Sequence, residues 1–508
     1  MSEVFLAALR SWSIPPAATF AIALTIIVYL RGWWLLRRAG SRTIPPWRVA
    51  FFLAGMFTLW VALASPVDVF NGFLLTAHML QHMLLMMVVP PLLLLGSPLV
   101  PMLRGLPIFA AREFGGPFLN WPIAQRVGLA LTHPALALLL MGVTMFAWHV
   151  PRLYELAIAS SAWHEVEHAS FLAVSIIFWW PVIEPWPSRP RWSRWLKVPY
   201  LLIADLQNTV LSAILLFSDR VLYPSYASEP RLFGMSALED QVAAGAMMWV
   251  VGSLAFVIPV ALIAVQYLSS RPVLANSRLM AESQISRIDL FDAVHSQISM
   301  FGAWLQGQCG TKTVEGMSFA LLFIGTGLCL VSLANSADHE EQALHLQSKS
   351  GEFAVAVYGP NEGLTVGETK FGILVQDSTT DSVVLNSAVQ VSAQAVETRE
   401  LTGIADAAHQ DSTNKLMQAA VIRLPAAGAW TLHLDVQRAA KSAEFSFPIL
   451  VSESSHEHGY PWSSIVFIGC GLGLLLTYAL RHRSTRASDD SSWGGSGLAA
   501  KTSVKQQP

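Results

Sequence analysis

Apolar runs long enough to cross a lipid bilayer recur along this chain, at about 17–36, 48–64, 73–95, 127–148, 163–183, 199–217, 239–267, 317–334 and 462–480. At a rise of roughly 1.5 Å per residue each spans most or all of a hydrocarbon core about 30 Å thick, where backbone polar groups must pair internally. The expected fold class is therefore an all-α polytopic membrane protein of about nine transmembrane helices. A composition of 53% hydrophobic and 13% charged residues agrees. The net charge of -2 carries no basic run that would suit nucleic acid. The three cysteines, Cys309, Cys329 and Cys470, form no disulfide framework or thiolate motif, so a metal site must use His, Met or carboxylate.

Lysine and arginine resist translocation in short loops, which orients the spans. Arg31, Arg37, Arg38, Arg42 and Arg48 follow the first span, Arg104, Arg112 and Arg126 the third, and Arg189, Arg191, Arg194 and Lys197 the fifth. The alternate connections are nearly bare. This predicts an outer N-terminus, whose first span is retained for want of a cleavage pattern, and an inner C-terminus. The expected organisation is a seven-helix bundle at 1–268, a cytoplasmic linker at 269–316, a transmembrane helix at 317–334, an extracytoplasmic domain at 335–460, a last helix at 461–481 and a disordered tail at 482–508. In the outer domain EFAVAVY, KFGILVQ, AVQVSAQAV, LMQAAVIRL, AWTLHLDV and EFSFPIL read as short strands parted by turns such as GPNEG and PAAG. They predict a small β-sandwich between the last two helices.

Histidines gather in the outer halves of three spans. His78 and His82 stand one turn apart in TAHMLQHMLLMMVVPPLLLLGSP, His149 ends the fourth span, and His164 and His168 open the fifth. A spacing of i, i+4 puts each pair on one helix face, as ligation of a shared ion requires. Met79, Met83 and Met86 run beside the first pair, and thioether with imidazole favours copper as Cu(I). The seventh span enters through Glu239, Asp240 and Gln241 and continues to Met248. A carboxylate within a membrane is costly and functional by default; Asp240, with Gln241 and Met248, is placed to orient a ligating imidazole through its second nitrogen, to bind directly or to pass the ion on.

Other features take plainer readings. His133, before Pro134, fits helix–helix hydrogen bonding, methionine alone is a common filler of apolar interfaces, and Trp148, Trp163, Trp179 and Trp180 suit interfacial anchoring or packing. His456 and His458 form an HxH pair beside the outer domain that can catch copper or zinc, against solvated linker as the alternative.

The runs HMLQHMLLMMVVPPLLLLGSP, WHVPRLYELAIASSAWHEVEHASFLAVSIIFWWPV and LEDQVAAGAMMW resemble the CtaG membrane family of assembly factors for caa-type cytochrome c oxidases, over about Trp47 to Leu268. GPNEGLTVGETKFGILVQD and PAAGAWTLHLDV are similar to small FixH or YtkA-like outer domains. The first resemblance implies a bundle in the bacterial plasma membrane, needed to mature a copper oxidase, with histidine motifs at His78, His82, His149, His164 and His168 and an acidic motif at Asp240 and Gln241. The expected function is an assembly factor that holds or delivers copper at the outer face, without turnover chemistry. Its partners would be oxidase subunits and a periplasmic copper chaperone. Two rivals remain at this level: a haem-binding oxidoreductase, since paired histidines also ligate haem, and a copper transporter. The apolar VVPPLLLL in the inner half of the third span argues against the transporter.

Overall fold

The computed structural model describes residues 3–107, 122–188, 192–269, 342–360, 363–399 and 401–453. Six helices there are long and apolar enough to cross a membrane: α1 (Pro16–Arg38), α2 (Pro46–Ala64, continuing through a short turn to Val69), α3 (Leu75–Leu95), and, later in the chain, Ser161–Ile183, Arg194–Leu216 and Ala237–Ser269. A bent pair, Gln125–Leu131 and Pro134–Trp148, at 69° to each other, makes a seventh candidate when the two are counted as one span. The last four are α4 (Pro134–Trp148), α5 (Ser161–Ile183), α6 (Arg194–Leu216) and α7 (Ala237–Ser269). The protein is a multi-pass membrane protein. The expected spans at 317–334 and 462–480, the linker at 269–316, the tail, and His456 and His458 lie outside the described residues.

The run expected as one helix over 127–148 is two helices meeting at 69° instead. Pro134 drives the preceding residue out of the helical region, and His133 adopts φ -68°, ψ 127°. His133 lies edge-on to Trp192 at a centroid separation of 5.0 Å.

Helix α3 is not regular along its length: a π-turn over Leu84–Val88 lies between α-helical Leu75–Met83 and Val89–Leu95, one turn before Pro90 and Pro91. Pro90 has no N–H to offer the carbonyl four residues back, that of Met86. Trp179 of α5 supplies the missing donor, Nε1 to Met86 O at 3.0 Å, so this tryptophan has a more specific task than anchoring.

The helices pack around Phe52, Met56, Leu59, Leu93, Phe171, Phe178 and Phe256, all at most 4% exposed. Close approaches use glycine where a side chain would collide: a Cβ on Gly32 would sit 1.7 Å from Pro101 O, and one on Gly105 1.8 Å from Val28 O. Gln207 and Asn208 of α6 lie against Gly142 and Gly252, and Asn208 Nδ2 donates to Met248 O at 3.1 Å. These groups serve packing between α4, α6 and α7.

Beyond the bundle, nine strands among the described residues form two sheets: β1 (Gln342–Ser350), β2 (Phe353–Pro360), β3 (Leu364–Thr365), β4 (Gly367–Asp377), β5 (Ala388–Ala395), β6 (Ala405–Ala407), β7 (Gln418–Leu424), β8 (Gly428–Arg438) and β9 (Lys441–Ser452). Sheet orders are β1-β2-β4-β7 and β3-β9-β8-β5-β6, antiparallel except for the β3–β9 pair. Alternation along β8 and β9 sends Trp430, Leu432, Leu434, Phe445, Phe447 and Ile449 into the shared core. The central strand β2 is buried on both faces: Val355 and Val357 enter that core, while Ala356 and Tyr358 turn toward the membrane bundle.

Candidate metal centre

The first turn of α3 begins with a cap from across the bundle. Asp240 of α7 accepts hydrogen bonds from the backbone N–H groups of Leu75 (2.6 Å) and Thr76 (3.2 Å) and from the Thr76 hydroxyl (2.5 Å). These are among the donors a helix start leaves unpaired, and a carboxylate is the group the positive end of a helix favours. One turn further on, His78 is fully buried and His82 is 3% exposed. Gln81 between them fixes the helix rotation. Its Nε2 donates to Ala62 O (2.9 Å) and Asp68 Oδ1 (2.8 Å), and its Oε1 accepts from Asn71 (3.1 Å).

Facing this turn, the first turns of α5 present His164, Glu165, Glu167 and His168, all buried. Ring centroids of His78 and His82 lie 4.3 Å apart, His82 and His168 5.2 Å, His164 and His168 4.1 Å, and His78 and His164 5.3 Å. Glu167 stands among them, one carboxylate oxygen 3.7 Å from His78 Nε2 and the other 3.7 Å from His82 Nε2, beyond hydrogen-bond length. One donor atom from each of His78, His82, Glu167 and His168 lies within 4.8 Å of every other. A tetrahedral ion holding such donors at roughly 2.0–2.2 Å brings them within about 3.5 Å of one another, so small side-chain rotations would close the group on an ion.

Neither ring nitrogen of His78 or His82, nor either oxygen of Glu167, makes a hydrogen bond. Polar atoms left this way inside a membrane protein are expensive, by about 1–3 kcal/mol each, unless something else occupies their lone pairs. Three imidazoles and a carboxylate form a donor set suited to copper or zinc.

The remaining expected residues are arranged around this group. His149 follows the last turn of α4, and its Nδ1 donates to Met145 O at 2.7 Å, which leaves Nε2 with its lone pair and no hydrogen-bond partner. It stands outside the four-residue group; Phe171 lies 4.7 Å from His82 and 6.5 Å from His149. Met79, Met83 and Met248 are buried with Leu211, Leu215 and Ala244 in an apolar cluster. Asp240 acts on the backbone of the histidine helix. Gln241 ties down the loop after α6, accepting from Leu222 N–H (2.7 Å) and donating to Arg220 O (3.1 Å).

Two residues escape the sequence reading. Glu167 sits in His164-Glu165-Val166-Glu167-His168, where an i, i+3 spacing from His164 shares its face; two acids between two histidines in an apolar span were the available signal. Tyr154, fully buried, places its ring 5.2 Å from His78 and hydrogen-bonds Tyr226 at 2.9 Å, but no spacing in the sequence announces it.

Residues 27–270 match the family described as cytochrome c oxidase caa3 assembly factor, Caa3_CtaG. An uncharacterized protein of Mycobacterium leprae is 27% identical over 252 residues, covering 47% of this chain and 37% of its own length. An uncharacterized protein of Mycobacterium bovis is 32% identical over 171 residues, 32% of this chain and 25% of its own. The chain thus spans well under half the length of these relatives. The buried histidine turns of α3 and α5 and the capping turn of α7 all fall inside residues 27–270, the segment of this chain that matches the family described as cytochrome c oxidase caa3 assembly factor.

Proposed function

We propose that the protein holds copper at His78, His82, Glu167 and His168 and delivers it to a cytochrome c oxidase subunit during assembly. Copper is then cargo, and no turnover chemistry is needed. The observation that carries this reading is the group of four buried donors, three of them without a hydrogen bond, inside a segment of an oxidase assembly family. His164 and His149 are reserve donors beside it, and Met79 and Met83 are the soft side chains nearest in sequence. The charge asymmetry of the loops supports an outer-face location for the site and the β-sandwich. Oxidase subunits and a soluble copper carrier are the proposed partners.

The test is anaerobic Cu(I) loading of the purified protein, counting bound metal in the wild type and in a His78→Ala/His82→Ala variant. The wild type should retain copper that the variant loses; equal stoichiometry ends the assignment. A visible spectrum on the same samples separates the haem alternative, because a Soret band would favour haem ligation. Restoration of oxidase activity in a deletion strain by wild type but not variant supports delivery.

A further inference from the structure

The β-sandwich rests on the residues that lead into the histidine helix. Phe70, Phe73, Leu74 and Ala77 pack with Leu232 against Ala356, Tyr358, Leu374, Leu416 and Met417 of the sandwich, and Ala77 is the residue before His78. The rings of Phe73 and Tyr358 lie 5.6 Å apart. Polar contacts surround this apolar patch. Gln347 donates to Ser228 O (2.9 Å), Gln376 to Arg231 O (2.7 Å), and Lys415 N–H to Ser11 Oγ (2.8 Å). At its edge Tyr358 donates its hydroxyl proton to Glu229 at 2.9 Å. Underneath, Asn71 links the two layers: its carbonyl accepts from Tyr226, and its amide donates to Gln81, which lies between His78 and His82.

We propose that the sandwich is a reversible cap on the metal centre, docked through the Tyr358–Glu229 pair and the Phe73 patch, and that metal exchange requires its release. This rests on the metal-holding reading above. The interface among the described residues has the make-up of a releasable contact: a small apolar cluster, a few hydrogen bonds and the Glu229 carboxyl group. Domain contacts of this kind permit relative motion.

Glu229 makes the contact sensitive to pH. Burial pushes its carboxyl up from the ordinary 4.5 to about 7, and the Tyr358 hydrogen bond only partly offsets that. Tyr358 is itself raised by burial and by Glu229. The other groups facing this corner are otherwise engaged: Arg231 donates to Ala227 O, Glu155 accepts from Ser225, Lys415 donates to carbonyls of its own loop, and His409 bridges Met417 O and Leu385 O. A carboxyl whose value is raised by docking favours the docked state while it is protonated. Its contribution is complete below about pH 4.5 and is lost as pH rises through about 7.

The experiment uses full-length protein in lipid nanodiscs, loaded with Cu(I), with two readouts at pH 5.5 and 8.5. Hydrogen-exchange protection factors over 70–77 and 353–358 report docking, and the rate of Cu(I) capture by excess chelator reports access. In the wild type, protection falls and capture quickens, each by roughly tenfold or more, from the lower to the higher pH. Glu229→Gln, which cannot ionise, keeps both readouts near their pH 5.5 values, and Phe73→Asp opens the cap at either pH. Protection that ignores pH, or capture that quickens while 70–77 stays protected, overturns the proposal. Protein that retains no copper overturns the metal-holding reading, and the exchange data alone then carry or overturn the cap.

Discussion

Asp240 of α7 caps Leu75, three residues before His78, with its Oδ2 2.6 Å from the Leu75 nitrogen. The carboxylate that the sequence offers as a partner for an imidazole instead fixes the helix on which two imidazoles are mounted. It controls their depth and rotation through the backbone.

Asp240→Ala should therefore lower thermal stability and weaken metal binding together. Loss of a helix cap costs about 0.5–2 kcal/mol, and the charge-assisted bonds move the figure to the upper end. Asp240→Asn keeps an acceptor oxygen and should recover most of the stability. Thermal unfolding and copper titration on the same preparations check both effects.

Glu167 is buried without a hydrogen bond beside His78 and His82, so in metal-free protein it is a liability. Glu167→Gln should raise the stability of the metal-free protein while weakening copper binding by roughly 10–100-fold. A variant that binds copper as the wild type does would remove Glu167 from the ligand set. The opposite signs are read from melting curves with and without metal.

Trp179 satisfies the Met86 carbonyl that Pro90 leaves open. Trp179→Phe preserves most of the apolar contact but removes the donor, and should cost about 1–3 kcal/mol for a buried acceptor without a partner. Trp179→Phe combined with Pro90→Ala, which restores a backbone N–H four residues on, should recover part of that loss. Unfolding of the four proteins in one detergent measures the coupling.

Gly105→Ala would place a methyl group 1.8 Å from Val28 O, against backbone that cannot rotate away. Destabilisation of about 3 kcal/mol or more follows, at the upper end of overpacking penalties. Gly40→Ala meets no atom within 4 Å but occupies φ +79°, so its smaller effect isolates backbone strain from collision. Expression yield and melting temperature of the two variants should rank in that order.

Much of the architecture is legible because hydrocarbon imposes a simple demand. Apolar length locates α1, α2, α3, α5, α6 and α7 within a few residues, and period-two alternation finds strands such as β8 and β9. The break at His133 was visible in the His-Pro pair, yet a hydropathy run alone passes over it. The π-turn at Leu84–Val88 was less accessible, since proline marks a freed carbonyl without saying which neighbour will satisfy it.

The sequence by itself determined that this protein crosses a membrane repeatedly, and that His78, His82, His164 and His168 occur as helix-face pairs, because both properties depend only on residue type and local periodicity. Only the tertiary structure decided which donors meet. Rotation of α5 against α3 brings Glu167 between His78 and His82, leaves His149 outside their group, turns Asp240 to the backbone, and seats the sandwich over Ala77. Those outcomes follow from packing between segments far apart in the chain, where glycine contacts and polar locks such as Gln81–Asp68 fix the angles, and spacing along one helix carries no information about its neighbour's rotation.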